Sequence, residues 1–253
     1  RDLIDAYLAH DDPVMQCVAL ATVGEYGTPE EKQAIATELL DSLLASTERR
    51  ELIRAQVAHA LGGLNQKGFA RFLESLLHDD SPRVVQTAIA AVGRIRDRQF
   101  VPFLIEALRR PRYRVAAREA LQQFGHGVIG TLHDYLVDDS TEFAIRKSIP
   151  RVLAGIPRQE SVDVLTEALK AADPQMKYYL LKGLNRLRTR HRELQFRRTI
   201  VNEALVSETR SYYETLLCLE AHNGSADNDA QQLLKRALAE RQEQNMERIF
   251  RIL

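Results

Sequence analysis

Five glycines set a period that few folds accept. Gly24, Gly62, Gly93, Gly125 and Gly155 each follow an apolar helical stretch, at spacings of 38, 31, 32 and 30 residues. Self-similarity at such a period marks stacked helical repeats, because one short helix pair cannot bury its own apolar face and must pack on its neighbours.

The unit is clearest at 79–111, DDSPRVVQTAIAAVGRIRDRQFVPFLIEALRRP. Asp80 or Ser81 is expected to cap the second helix of one pair, with Pro82 in its first turn, where a missing N–H costs nothing. Val84, Val85, Ala88, Ile89, Val92 and Ile95 then form one apolar stripe. Arg94–Gln99 is expected to turn the chain. Phe100, Phe103, Leu104, Ala107 and Leu108 line the first helix of the next pair, and Pro111 restarts the cycle. Asp12-Pro13 and Asp173-Pro174 open equivalent helices. Thr28-Pro29-Glu30-Glu31 opens a long helix to about Leu44, and Asp139 with Glu142 has capping-box spacing before Phe143–Leu153. Pro150 should kink the helix at 142–155.

This grammar predicts an all-α, right-handed superhelix of about seven helix pairs, roughly 1–26, 29–64, 68–96, 99–125, 128–156, 160–188 and 192–221. A terminal helix at 226–253 follows, whose stripe Ala230, Leu233, Leu234, Ala237 and Leu238 should cap the last repeat, and Met246, Ile249, Phe250 and Leu253 begin a second stripe. The whole of 1–253 reads as one domain, with clear repeats over 1–190 and a divergent one at 192–221. The chain opens at Arg1 and stops inside an apolar pattern, as expected of a piece of a longer protein.

An acidic turn, Pro, an apolar pair, Ala and then Gly, as in Asp80-Ser81-Pro82…Ala88…Val92-Gly93 and Asp12-Pro13…Ala19…Val23-Gly24, resembles HEAT repeats of the short, phycobilisome-lyase-like kind. The resemblance implies a curved helical solenoid that binds other proteins. That family often carries a basic residue eight positions before the glycine. Arg54 and Lys147 occupy that place here, whereas Gln16, Val85 and Ala117 do not. The terminal run Asn245–Leu253 is similar to the tail of HEAT segments attached to bacterial nucleotide-translocase-like membrane carriers. That second resemblance implies the cytoplasmic part of a membrane transporter.

Catalytic signals are sparse. His10-Asp11-Asp12 and His78-Asp79-Asp80 are identical tripeptides, but they lie two repeats apart, roughly 20 Å at 8–10 Å per packed layer, too far to share one ion. The simpler reading is that His closes one helix and Asp caps the next. No His-Glu dipeptide occurs, against a di-iron hydroxylase of HEAT type, and the absence of Trp weakens a base glycosylase. No Gly-rich phosphate loop and no pocket motif of a bilin lyase or isomerase is present. No enzyme activity, cofactor or metal is therefore expected. Cys17 and Cys218 both fall on apolar faces and should be buried free thiols, favouring a reducing, cytoplasmic setting. The longest uncharged apolar stretch, Pro13–Gly24, has 12 residues and is too short to cross a bilayer.

Charge patterning is more telling. The chain balances at 35 basic and 35 acidic residues, yet 82–200 holds 22 basic against 12 acidic, an excess of +10. Many of these cations fall in the first turns of the second helices, where the helix dipole disfavours them by roughly 0.3–1 kcal/mol each. Arg83, Arg114, Arg118, Arg146, Lys147, Arg151, Lys182 and Arg186 are expected to form a basic groove for an anionic partner. That partner is a protein or a neighbouring domain. Nucleic acid ranks below it, because Tyr113, Tyr178, Tyr179, Tyr212 and Tyr213 are the few aromatics placed to stack on bases.

Overall fold

A computed structural model describes residues 6–10, 12–28, 50–64, 70–196, 198–222 and 229–252. Among them all regular structure is helical, as the repeat grammar predicts. The chain forms two compact units, Arg1–Val128 and Ile129–Leu253.

The first unit contains α1 (Pro13–Tyr26), α2 (Arg50–Leu64), α3 (Ala70–Leu77), α4 (Pro82–Ile95), α5 (Val101–Ala107) and α6 (Arg114–Gln123). Helices α1, α2, α4 and α6 stack in that order, while α3 packs on α4 and α5 on α6. The expected helix at 29–44 lies outside the described residues. Asp12 caps α1 as its Asp-Pro pair predicts, accepting from the Val14 N–H at 2.9 Å. At α4 the capping residue is Ser81, but its hydroxyl makes no cap bond. The working carboxylate is Asp79, which accepts the Ser81 N–H at 2.8 Å. Val84, Ala88, Ile89 and Val92 are fully buried and form the expected stripe. Each aliphatic side chain of Val or Ile size contributes roughly 1.5–3 kcal/mol relative to exposure.

The period-setting glycines do different jobs. Gly93 lies inside α4 against the backbone of α6, where a Cβ would come 2.8 Å from the Ala120 Cα. Gly62 stands likewise 3.0 Å from the Ala91 Cα. These two therefore permit close helix approach rather than ending helices. The left-handed residue that ends α4 is Arg96, at φ 56°. Asp97 then accepts the Gln99 N–H and starts a 3-10 turn, Arg98–Phe100, leading into α5. Gly125, at φ 61°, supplies the left-handed conformation after α6.

The second unit contains α7 (Ile129–Val137), α8 (Phe143–Arg146), α9 (Ile149–Leu153), α10 (Gln159–Ala171), α11 (Pro174–Arg190), α12 (Arg198–His222) and α13 (Asp229–Ile252). Pro150 does more than kink 142–155: the chain breaks into α8 and α9 around Lys147 and Ser148. The Asp139–Glu142 capping box does not form. Glu142 is the capping position, but its side chain does not cap the helix, and Asp138 accepts from the backbone and hydroxyl of Ser140 and from Thr141. These bonds hold the Asp138 carboxyl below its ordinary range, with the Ser140 side chain contributing most. Asp173 caps α11 through the Met176 N–H at 2.8 Å. Helix α11 rests on α9, where Gly183 faces the Pro150 carbonyl.

The expected pair at 192–221 is instead one helix, α12, whose partner is α13. Their seam is polar. Asn245 is fully buried and reaches the Ser211 and Thr215 hydroxyls at 3.4 and 3.5 Å, and Gln242 donates to the Tyr212 hydroxyl at 3.1 Å. Of the stripe expected to cap the last repeat, Leu233 is 68% and Leu234 41% exposed and Ala237 is exposed, while Leu238 is half-buried. Cys17 is buried as expected, whereas Cys218 is exposed on α12.

Candidate functional site

Three arginines at the joints between helices take backbone carbonyls. In the first unit, Arg114 at the start of α6 donates from Nε to the Leu108 carbonyl at 2.8 Å and from a terminal nitrogen to that of Arg109 at 3.1 Å. Both carbonyls lie just past Ala107, the last residue of α5, where no further helical turn supplies N–H partners. In the second unit, Arg146 does the same for α7, donating to the Leu136 carbonyl at 3.1 Å and pairing with Asp139 at 2.8 Å. Arg98 reaches the Gly127 carbonyl at 2.6 Å. Arg54 holds Asp79 at 3.2 Å, tying α2 to the turn before α4.

The other predicted site residues are placed differently. Arg83 is exposed on α4, and its side chain has no hydrogen-bond or ion-pair partner among the described residues. Arg118 is half-buried on α6, 3.7 Å from Glu119. Arg151 on α9 and Lys182 on α11 are exposed, and Arg186 is half-buried. Lys147 is not a joint residue like Arg54: its ammonium lies over the Phe143 ring, 5.7 Å from the centroid. Lys182 lies likewise over Tyr178 at 5.5 Å. Tyr179 meets Phe143 edge-on at 6.2 Å and Tyr178 at 5.2 Å.

The geometry thus adds Phe143 to the predicted set and gives Tyr178 and Tyr179 a place in it. A signal for this exists in the sequence: aromatic-x-x-x-Lys occurs at Phe143/Lys147 and again 35 residues on at Tyr178/Lys182. Of the other candidate aromatics, Tyr113 is buried, and Tyr212 and Tyr213 pack on each other at 5.6 Å.

Both histidine-acid turns are occupied locally. His10 Nδ1 accepts the Asp12 N–H at 2.9 Å. His78 Nδ1 donates to the Glu74 carbonyl at 2.8 Å, and its ring meets Phe103 edge-on. Among the described residues, no three His, Cys, Asp or Glu side chains are grouped to hold a metal ion, and no helix is long and apolar enough to cross a membrane. Burial, reinforced by Asp12, pushes the Cys17 thiol up to about 12, so a thiolate nucleophile there is disfavoured.

Helices stacked in register, joined by capped Pro starts and close-approach glycines, define an all-α repeat protein. Residues 36–125 match the family model for HEAT repeats, and the fold is a HEAT-like solenoid. Such repeats form scaffold or protein-binding helical domains. No curated protein matches the chain in sequence. Among the solved structures similar to it are the following three. The complex of CpcE and CpcF of phycocyanin lyase from Nostoc sp. PCC7120 is 18% identical, with 100% of this chain and 94% of that one covered and a TM-score of 0.44. An engineered protein is 20% identical, covering 75% and 97%, at 0.39. Human deoxyhypusine hydroxylase in complex with glycerol is 15% identical, covering 94% and 96%, at 0.28. At these TM-scores the likenesses carry nothing about activity.

Proposed function

We propose that this chain is a non-catalytic binding module, a HEAT-like scaffold whose outward cations hold an acidic protein partner. The observation that supports this best is the division of the basic residues. Arg114 and Arg146 are spent on helix-end carbonyls, whereas Arg83 and Lys182 stand exposed. The excess of +10 over 82–200 is too large for local carboxylates to cancel. Several of those carboxylates already serve the backbone, as Asp97, Asp138 and Asp173 do. A surface of outward-facing cations raises the local concentration of an anionic partner and speeds its association.

The test is binding of poly-glutamate, followed by fluorescence anisotropy across a salt series. Binding is expected at low ionic strength and should fade as the Debye length falls from about 10 Å at 0.1 M to about 3 Å at 1 M. Charge reversal at Arg83, Arg151 and Lys182 together should abolish it. No binding at low salt, or binding indifferent to the triple reversal, sinks the reading.

A further inference from the structure

Within the second unit, five side chains link two packed helical segments in an unbroken chain of contacts: Lys147 over Phe143, Phe143 against Tyr179, Tyr179 against Tyr178, and Tyr178 under Lys182. Phe143 starts α8, Lys147 follows it directly, and Tyr178, Tyr179 and Lys182 occupy the first half of α11. All three rings and Lys147 are half-buried, and Lys182 is exposed. A lysine normally samples many rotamers, and binding must freeze them. Here the ring under each ammonium restricts that sampling before any partner arrives, because a cation is attracted to the face of an aromatic ring. Two carboxylates of the flanking turns have partners of their own: Asp139 pairs with Arg146, and Asp173 accepts the Met176 N–H.

We infer that this cation–aromatic cluster is a preorganised docking site for an acidic peptide segment, with Lys147 and Lys182 as its two anchoring charges. The inference rests on the binding-module reading above and narrows it to one unit and two ammonium groups. Charge complementarity points to an anion. The rings decide which kind. Single-stranded nucleic acid is held by bases stacking on open aromatic faces, but here lysines lie over Phe143 and Tyr178, and the rings meet one another edge to face. Such a cluster suits carboxylates, which need only the ammonium heads.

The probe is a fluorescein-labelled Glu-Ala repeat peptide, titrated with the whole chain at low salt, with single-stranded oligo-dT in parallel. The Lys147→Gln/Lys182→Gln double variant should lose about tenfold or more in affinity, and Arg83→Gln should change it less than about twofold. Tyr178→Leu leaves every charge in place yet should weaken the peptide several-fold, whereas Tyr178→Phe, which keeps the ring, should match the parent. Circular dichroism of each variant confirms an intact helical fold. If the peptide binds but the double variant is unaffected, the site is elsewhere and only this inference fails. If Tyr178→Leu binds like the parent, ring-held preorganisation is wrong. If oligo-dT binds more tightly than the peptide through the same lysines, the partner class is wrong. If no acidic polymer binds at all, the binding-module reading falls with it.

Discussion

Replacing Gly93 with alanine sets two opposed effects against each other. In an isolated helix the change stabilises by about 1 kcal/mol, because alanine loses less backbone entropy than glycine. In this fold the new Cβ would lie 2.8 Å from the Ala120 Cα, 3.0 Å from its Cβ and 3.2 Å from the Gln123 side-chain oxygen. An approach below 3 Å to a neighbouring helix backbone cannot be relieved by a rotamer change, so α4 and α6 must separate. Overpacking of this kind costs about 1–3 kcal/mol. Since separation also disturbs the packed Ala88–Val92 stripe, the upper half of that range should apply, and Gly93→Ala should lose about 1–2 kcal/mol net. Gly130 is the control. It lies in α7, exposed, with open space for at least 4 Å around the position a Cβ would take, so Gly130→Ala should gain about 0.5 kcal/mol. Gly62→Ala, with its nearest neighbour at 3.0 Å, should fall between. Adding Ala120→Gly should rescue Gly93→Ala only in part, because the backbone of α6 still stands too close. Urea unfolding followed by far-UV circular dichroism reads all four. If Gly93→Ala is as stable as the parent or more so while Gly130→Ala gains, glycine spacing does not set helix approach here.

Two further outcomes follow from the joints and the thiols. Arg114→Met keeps the aliphatic stem but orphans the Leu108 and Arg109 carbonyls, so it should cost about 1–3 kcal/mol, while Arg83→Met should stay within about 0.5 kcal/mol; equal losses in thermal unfolding would contradict the division of the arginines. Cys17 keeps its proton to about 12 in the folded chain but ionises near about 8.5 once unfolded. Across that window the unfolded chain binds fewer protons, so this contribution is intact below about 8.5 and drains as pH rises, by up to about 1.4 kcal/mol per pH unit. Cys17→Ala should therefore show a shallower alkaline loss of stability than the parent, and an identical slope in urea titrations would refute it.

What the sequence discloses and what it withholds divide along a physical line. Local grammar is legible: Asp12 and Asp173 cap where Asp-Pro places them, and Pro150 interrupts its helix. Features set by partners distant in sequence are not. Ser81 fills a capping position, yet Asp79 supplies the bond because Arg54 holds its carboxylate in place. The last helix pair escapes a sequence reading because α12 spreads polar and apolar residues all round, so no stripe announces that Thr215 will be buried, or that Asn245 of α13 will be buried beside it. The basic set is legible as a set, but not which members face outward, since that depends on whether a carbonyl end lies within reach.

That dependence also resolves the awkward placement of cations in first turns. The dipole of a helix disfavours a positive charge at its own start, but a repeat joint sets that start beside the end of the preceding helix, where the dipole favours the same charge. Arg114 and Arg146 belong electrostatically to the helices before them, α5 and α7, and only by sequence to their own, α6, which Arg114 begins, and the single turn α8, which Arg146 ends. Arg83 occupies a similar first-turn position on α4 but makes no such bond. At its joint His78 donates to a carbonyl of α3, and the Arg54–Asp79 pair holds the turn. With the joint already tied, Arg83 points to solvent. Lys182, well inside α11, rests on a ring instead of a carbonyl. A cation in this fold is therefore available to a partner when the nearest helix end is either already served or out of reach, and Arg83 and Lys182 meet that condition by different routes.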